Sequence, residues 1–319
     1  MLAAGRAPQR GRVRTLRGMS VPSRRPFLEY AALSLIWGLS FLFMLRTSRA
    51  FGLVGSVCFR ALLAAAVLRT FALLRGQRLN MRPRAGAFAV VGATTVAGQL
   101  LGLSYGMRII GTAMTAILVA AIPLFTMLIG HFSGLEPMRR RTFAGVALGM
   151  AGIALLVGFP AVALTPRFLL GCGAALLGAL SSAIGSNYAS ARLAIVDPLE
   201  ITAGAFFFGG IGALPLLWLD PVPAPPGLAD YGSLLVLGVF MSALAYVLYF
   251  RLVAAIGATR AVSVEFLVTV VAVVIGTFLL HETLTRMQVL GAVAILVGCG
   301  FVLDLMPFGP AARAGTLRR

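Results

Sequence analysis

The chain contains no lysine, and only nine of its 319 residues are acidic. Charged residues make up 11% of the sequence, against roughly 25% in soluble domains. So few charges cannot coat a water-facing surface, which excludes a soluble globular domain. Histidine is scarce as well, with two residues, and there are three cysteines. Cys58, Cys172 and Cys299 stand in apolar stretches with no CxxC or Cys/His spacing. They indicate neither a zinc site nor a disulfide framework and read as small buried hydrophobes. No P-loop and no separate soluble domain is present, which argues against a primary, nucleotide-driven pump.

What the sequence does have is hydrophobicity: 60% of its residues are apolar, and its mean hydropathy is +0.97. Its formal net charge of +18 comes from 27 arginines. These lie mostly between apolar runs or at the ends of the chain, not on one basic face, so they do not mark a nucleic-acid binder. Ten apolar segments are legible, at about 27–45, 53–74, 86–106, 112–132, 142–158, 168–188, 199–218, 231–250, 260–280 and 287–304. Each approaches the roughly 20 residues that cross a bilayer. Lipid offers no partner to open backbone groups, so the spans are expected to be helices. The expected fold is an all-α integral membrane protein with ten transmembrane helices.

Residues 1–26 are expected to form a basic, disordered cytoplasmic tail, with seven arginines and no acidic residue in the first 25. The run from Phe27 is longer than a signal-peptide core and reads as a retained span. Met19 is an alternative start. With the first residue inside, inside segments carry twenty arginines and outside segments five. The positive-inside rule then places both termini, including a tail at 305–319, in the cytoplasm of a multi-pass plasma (inner) membrane protein.

Shifting the sequence by 146 residues overlays 111–152 on 257–298 without a gap. Gly111/Gly257, Ile129/Ile275, Gly130/Gly276, Phe132/Phe278, Glu136/Glu282, Arg140/Arg286, Gly145/Gly291 and Gly152/Gly298 coincide. The unit holds five spans, an odd number, so two five-helix halves (27–158 and 168–304) must sit in opposite orientation. Inverted repeats of this kind characterise secondary transporters, because similar opposed halves can exchange conformations. Gly98, Gly102 and Gly106 in the third span, and Ala174, Gly178, Ser182 and Ser186 in the sixth, form small-residue stripes. Such stripes permit close helix contact, either static or sliding.

The stretches LIWGLSFLF (35–43), FRALLAA (59–65) and AAIPLFTMLIGHFSGLEPMRRRTFAGVALGMAGIALL (120–156), with the segment 242–303, carry a resemblance. The chain resembles the EamA-type transporters of the drug/metabolite transporter superfamily, over nearly all of 27–304. The resemblance implies ten spans as two five-helix repeats and transport of a small metabolite. It also implies a cavity lined by the first, third, fourth, sixth, eighth and ninth spans. The chain departs from the pattern where Thr269 occupies the place of the family's ninth-span proline, the counterpart of Pro123, and where Glu265 stands one turn earlier.

Ionisable groups inside a membrane are costly and call for a reason. Glu265 is the sharpest case: it lines a cavity and binds a substrate ammonium or carries a proton, or else it pairs with Arg260 or Arg251. Arg60 holds an anionic group of a substrate, or snorkels or pairs structurally. Gln99, Tyr105, Asn187, Tyr246 and Tyr249 are candidate cavity hydrogen-bonding groups, joined by resemblance by Trp37 and Ser40; each also reads as an interhelical contact. Glu136 and Glu282, near span ends, suit helix N-termini or act as gate partners, with Arg139 or Arg286 as pairing candidates. His131 and His281 fall on opposite faces and make no metal site. Pro123 and Pro215 are expected to kink their helices.

The function expected is secondary transport of a small metabolite by alternating access, as an exporter of amino acids or related compounds, with proton coupling through Glu265. A non-transporting membrane scaffold or sensor is the alternative. A membrane-embedded enzyme is disfavoured, because no Ser/His, paired-Asp or His/carboxylate cluster is present. No cofactor or metal is called for. The expected partners are a small-molecule substrate and the lipid bilayer, with no nucleic acid; a homodimer is compatible with the sequence.

Overall fold

A computed structural model describes residues 24–134, 140–159 and 163–302, with the side chains at 24–28, 256, 259, 260 and 302 outside the description. Every regular element among them is helical. Eight helices are long and apolar enough to cross a membrane: α1 (Arg24–Ala50), α2 (Leu53–Leu74), α3 (Arg82–Ile110), α4 (Thr112–Phe132), α5 (Arg140–Gly158), α6 (Pro166–Arg192), α7 (Pro198–Trp218) and α8 (Leu228–Ala255). Two shorter apolar helices follow, α9 (Val264–Leu279) and α10 (Arg286–Phe301). A helical turn at Ala258–Ala261 leads into α9.

Local sequence sets the helix starts. Asp197 accepts from the Leu199 N–H at 2.8 Å, and Thr165 accepts from the Phe168 N–H at 3.1 Å. Both cap helices whose first residue is proline, where the missing N–H costs nothing. Pro123 sits just inside a break at Ala120–Ala121 that divides α4. Around Pro215, the end of α7 tightens into a 3-10 turn.

The inverted repeat is visible in three places. Gly111 (φ 81°, ψ 172°) turns the chain into α4, and Gly257 (φ 86°, ψ 162°) turns it towards α9 with nearly the same dihedrals. Such φ values favour glycine. A π-helical segment interrupts α3 at Gly92–Gly98, and another interrupts α8 at Val239–Leu244, at matching places in the repeat. The α5–α10 contact is self-complementary. A Cβ on Gly152 would stand 2.7 Å from the Gly291 carbonyl oxygen, and one on Gly298 would stand 2.5 Å from that of Gly145. Gly291 and Gly298 are the repeat equivalents of Gly145 and Gly152, so each partner meets the other's counterpart, as a two-fold axis between antiparallel helices requires.

The small-residue stripes of α3 and α6 pack on each other. A Cβ on Gly102 would approach the Ala174 carbonyl oxygen to 2.6 Å, and one on Gly106 that of Gly171 to 2.9 Å. The main chains therefore touch, which only small residues allow.

Candidate functional site

The chain is interrupted where it passes the centre of the bundle, and the interruption positions the site. After the turn at Ala258–Ala261, the helix breaks at Val262–Ser263 and restarts at Val264. The Glu265 N–H donates to the Val262 carbonyl at 3.1 Å, a tight local turn. Glu265 thus lies in the first turn of a new helix, where orphan N–H groups favour a carboxylate. Broken helices whose half-helix ends face a central cavity are a feature of transporter substrate sites.

Glu265 is buried and lines a cavity of about 30 Å³. Trp37 and Ser40 from α1, Arg60 from α2, Gln99 from α3 and Tyr246 from α8 line it too. Six of the nine residues singled out in the sequence therefore meet in one place. A volume of this size holds one or two waters. Small-molecule pockets run to roughly 300–1,000 Å³, so a ligand of metabolite size requires the surrounding helices to part.

Arg60 reaches the cavity from α2 and is 2% exposed. Its Nε donates to Ser242 Oγ at 2.9 Å, and a terminal nitrogen lies 3.6 Å from Met44 Sδ. Ser242 in turn donates to the Leu237 carbonyl, five residues back, at 2.8 Å. The π-helical stretch of α8 thus turns an otherwise ordinary serine into the acceptor that orients the guanidinium. Two of the five guanidinium N–H donors are accounted for in this way. Neither Arg60 nor Glu265 forms an ion pair among the residues whose side chains are described, a set that leaves out Arg260, the other partner considered for Glu265. Arg251, one partner considered for Glu265, points outward and is exposed.

The aromatic lining is a single cluster. The Trp37 ring centroid lies 5.2 Å from those of both Tyr246 and Tyr249. Tyr249 and Ser186 share a 2.7 Å hydrogen bond behind it, tying α8 to α6. The Ser40 hydroxyl donates back to the Trp37 carbonyl at 2.6 Å. The Gln99 side-chain amide oxygen, Oε1, is buried with no hydrogen-bond partner among the described residues.

Three candidates stand elsewhere. Asn187 donates from Nδ2 to the Thr126 and Ala183 carbonyls, both at 3.0 Å, joining α6 to α4. Tyr249 lies one layer behind the lining. Tyr105 is 40% exposed, because six residues of helix after Gln99 rotate it roughly 240° away from the cavity side of α3. The sixth span, expected to line the cavity, contributes no lining residue, and the second span takes its place through Arg60. The apolar lining residues Phe41, Met44, Leu100, Leu103, Val119 and Val268 were missed in the sequence. The signal for the first two is the helical spacing 37, 40, 41, 44, which forms one stripe on α1.

Glu282 lies at the end of the bundle beside Gly111. Its two carboxylate oxygens accept from the backbone N–H groups of Thr112 and Ala113 at 2.7 and 2.6 Å. It caps the first turn of α4, in the opposite half of the molecule, and makes no ion pair with Arg286 among the described residues. His281 adopts a left-handed conformation, φ 56°, which turns the chain after α9 and aims the carboxylate. Glu136 and Arg139 lie outside the described residues.

The EamA-like transporter family matches residues 29–158 and, a second time, 169–304. The chain belongs to the EamA-like transporter family. Its relatives include the uncharacterized inner membrane transporter YedA of Escherichia coli K12, 29% identical over 87% of this chain and 89% of that protein. The uncharacterized transporter YoaV of Bacillus subtilis is 27% identical, over 65% and 70% respectively. A crystal structure 19% identical in sequence, covering 89% of this chain and 99% of its own, superposes with a TM-score of 0.65 and shares the fold. As an EamA-like protein, this chain is a multi-pass membrane transporter.

Proposed function

We propose that the protein is a secondary transporter that exports an amino acid or a closely related zwitterion across the plasma membrane by alternating access. One observation carries this reading. Arg60 from the first half and Glu265 from the second line the same cavity, with neither neutralised by an ion pair among the described residues. A buried charge without a partner is costly, and a substrate bearing both a carboxylate and an ammonium offsets both costs at once. Arg60 is the partner of the carboxylate and Glu265 that of the ammonium. Trp37 and Tyr246 close over the apolar part of the ligand. Glu265 also carries the coupling proton, since protonation releases an ammonium and ammonium binding displaces the proton.

The test is flux of labelled amino acids, polyamines and small cationic drugs into proteoliposomes of purified protein, set against empty liposomes. Saturable flux of zwitterions is expected, driven by an imposed pH gradient. In the Glu265→Gln variant the response to the gradient should vanish. A Glu265→Gln protein that responds to pH as the wild type does would remove the proton from the scheme. Flux of cationic drugs alone would remove the carboxylate role of Arg60. Folded protein inactive towards the whole panel would favour a sensor or scaffold.

A further inference from the structure

A groove of about 350 Å³ runs along the surface between α2 and α8, separate from the central cavity. Val67 and Phe71 on α2 and Phe240 and Leu244 on α8 wall it. Phe71, Phe240 and Leu244 are 42%, 53% and 46% exposed. Phe240 and Leu244 belong to the π-helical stretch, where the helix is wider and its surface irregular. At the depth of the bilayer such a furrow is not wetted, because water there finds no polar partners.

Two cations border the same furrow. Arg75 immediately follows α2, and Arg251 lies in the last turns of α8. Both helices have even positions in the chain, so their C-terminal ends share one face, the face that the arginine distribution assigns to the cytoplasm. Arg75 is held with its guanidinium 4.4 Å above the Phe71 ring. Arg251 is exposed. Neither has a carboxylate partner among the described residues. The nearby carboxylate, Glu200, faces Arg84 at 4.0 Å instead. An apolar furrow ending in two uncompensated guanidinium groups matches a lipid with hydrocarbon chains and an anionic headgroup.

We propose that this groove binds one anionic phospholipid of the cytoplasmic leaflet, with an acyl chain along Val67, Phe71, Phe240 and Leu244 and its phosphate between Arg75 and Arg251. The occupant is a bilayer lipid and not free phosphate, because two exposed arginines without the furrow give no enclosed anion site.

Native mass spectrometry of the purified full chain tests this, with phosphatidylglycerol and phosphatidylcholine of matched chains as probes. One phosphatidylglycerol should be retained over phosphatidylcholine by roughly thirtyfold, as two cations near a membrane surface imply. The double variant Arg75→Gln/Arg251→Gln should reduce that ratio to parity, while Arg108→Gln, on the opposite face, should leave it unchanged. Equal retention of the two lipids by the wild type overturns the proposal, as does a double variant that keeps the preference. Should the double variant fail to fold, Leu244→Trp fills the groove from its wall. Loss of the retained lipid is then expected, and undiminished retention overturns the proposal.

Discussion

Replacing Glu282 with glutamine changes one atom of the side chain and leaves its shape intact. In the native protein both carboxylate oxygens receive backbone N–H groups, from Thr112 at 2.7 Å and Ala113 at 2.6 Å. Hydrogen bonds to a charged group contribute about 1.5–3 kcal/mol each. Glutamine keeps one acceptor oxygen, but its amide nitrogen then faces the second N–H, donor against donor. The expected loss is therefore at least about 2 kcal/mol, a factor of roughly 30 in any equilibrium that breaks the contact. In the alternating-access scheme proposed above, the α4 N-terminus and the turn after α9 would part when this end of the bundle opens. The loss should then appear as a shift towards the open state. Met114, 3% exposed, lines the cleft beside Glu282. In a Met114→Cys protein, an impermeant maleimide should react roughly tenfold or more faster once Glu282→Gln is added. The three native cysteines are buried and make a quiet background. A fall in melting temperature with unchanged labelling would mean that the contact survives in both states, and that Glu282 is a helix cap and no gate. Unchanged melting and unchanged labelling would refute the reasoning altogether.

Other substitutions separate packing from the site. Gly298→Val should lower the melting temperature by an amount equivalent to about 1–3 kcal/mol, since its Cβ would meet the Gly145 carbonyl oxygen at 2.5 Å; thermal unfolding in detergent checks this. Asn187→Ala should cost about 1–2 kcal/mol for its two lost bonds, with flux per folded molecule preserved. Arg60→Met should abolish flux of substrates that carry a carboxylate while the protein stays folded, since methionine fills the site and leaves no buried charge; retained zwitterion flux would contradict its role. Tyr105→Ala should change neither stability nor flux in the same assays.

The sequence and the structure agree where the signal is periodic or charged, and diverge where it depends on rotation about a helix axis. Glu265 and Arg60 stood out because an ionisable residue in an apolar run is expensive wherever it points. Gln99 and Tyr105 looked equivalent, being polar residues six apart on one span, yet only Gln99 turns inward. Nothing in a single apolar helix marks which side will face its neighbours. Asn187 likewise has the chemistry of a lining residue but spends its amide on the backbone of α4. Ser242 escaped notice because its importance comes from the π-helical stretch that presents it to Arg60, and one inserted residue per turn leaves no compositional trace. The glycine and glutamate coincidences at a 146-residue offset were legible because the repeat preserved residue types that few other residues can replace. How Glu282 would be used was only half legible: a carboxylate at a span end suited a helix terminus, but the terminus it serves is 170 residues away in the chain.

The α5–α10 seam is built from main chain meeting main chain at Gly145, Gly152, Gly291 and Gly298. At these four glycines the joint has no rotamers to rearrange, although side chains meet on either side of it, with Arg141 5.5 Å over the Phe301 ring and Thr285 donating to the Phe159 carbonyl at 2.8 Å. The joint's geometry suits an axle. In the alternating-access scheme proposed above, the two halves would tilt about it, and the glycine contacts, being duplicated by the repeat, would favour neither direction of tilt. Any bias between the two states of that scheme would then come from contacts that the repeat does not duplicate, such as Arg141 over the Phe301 ring.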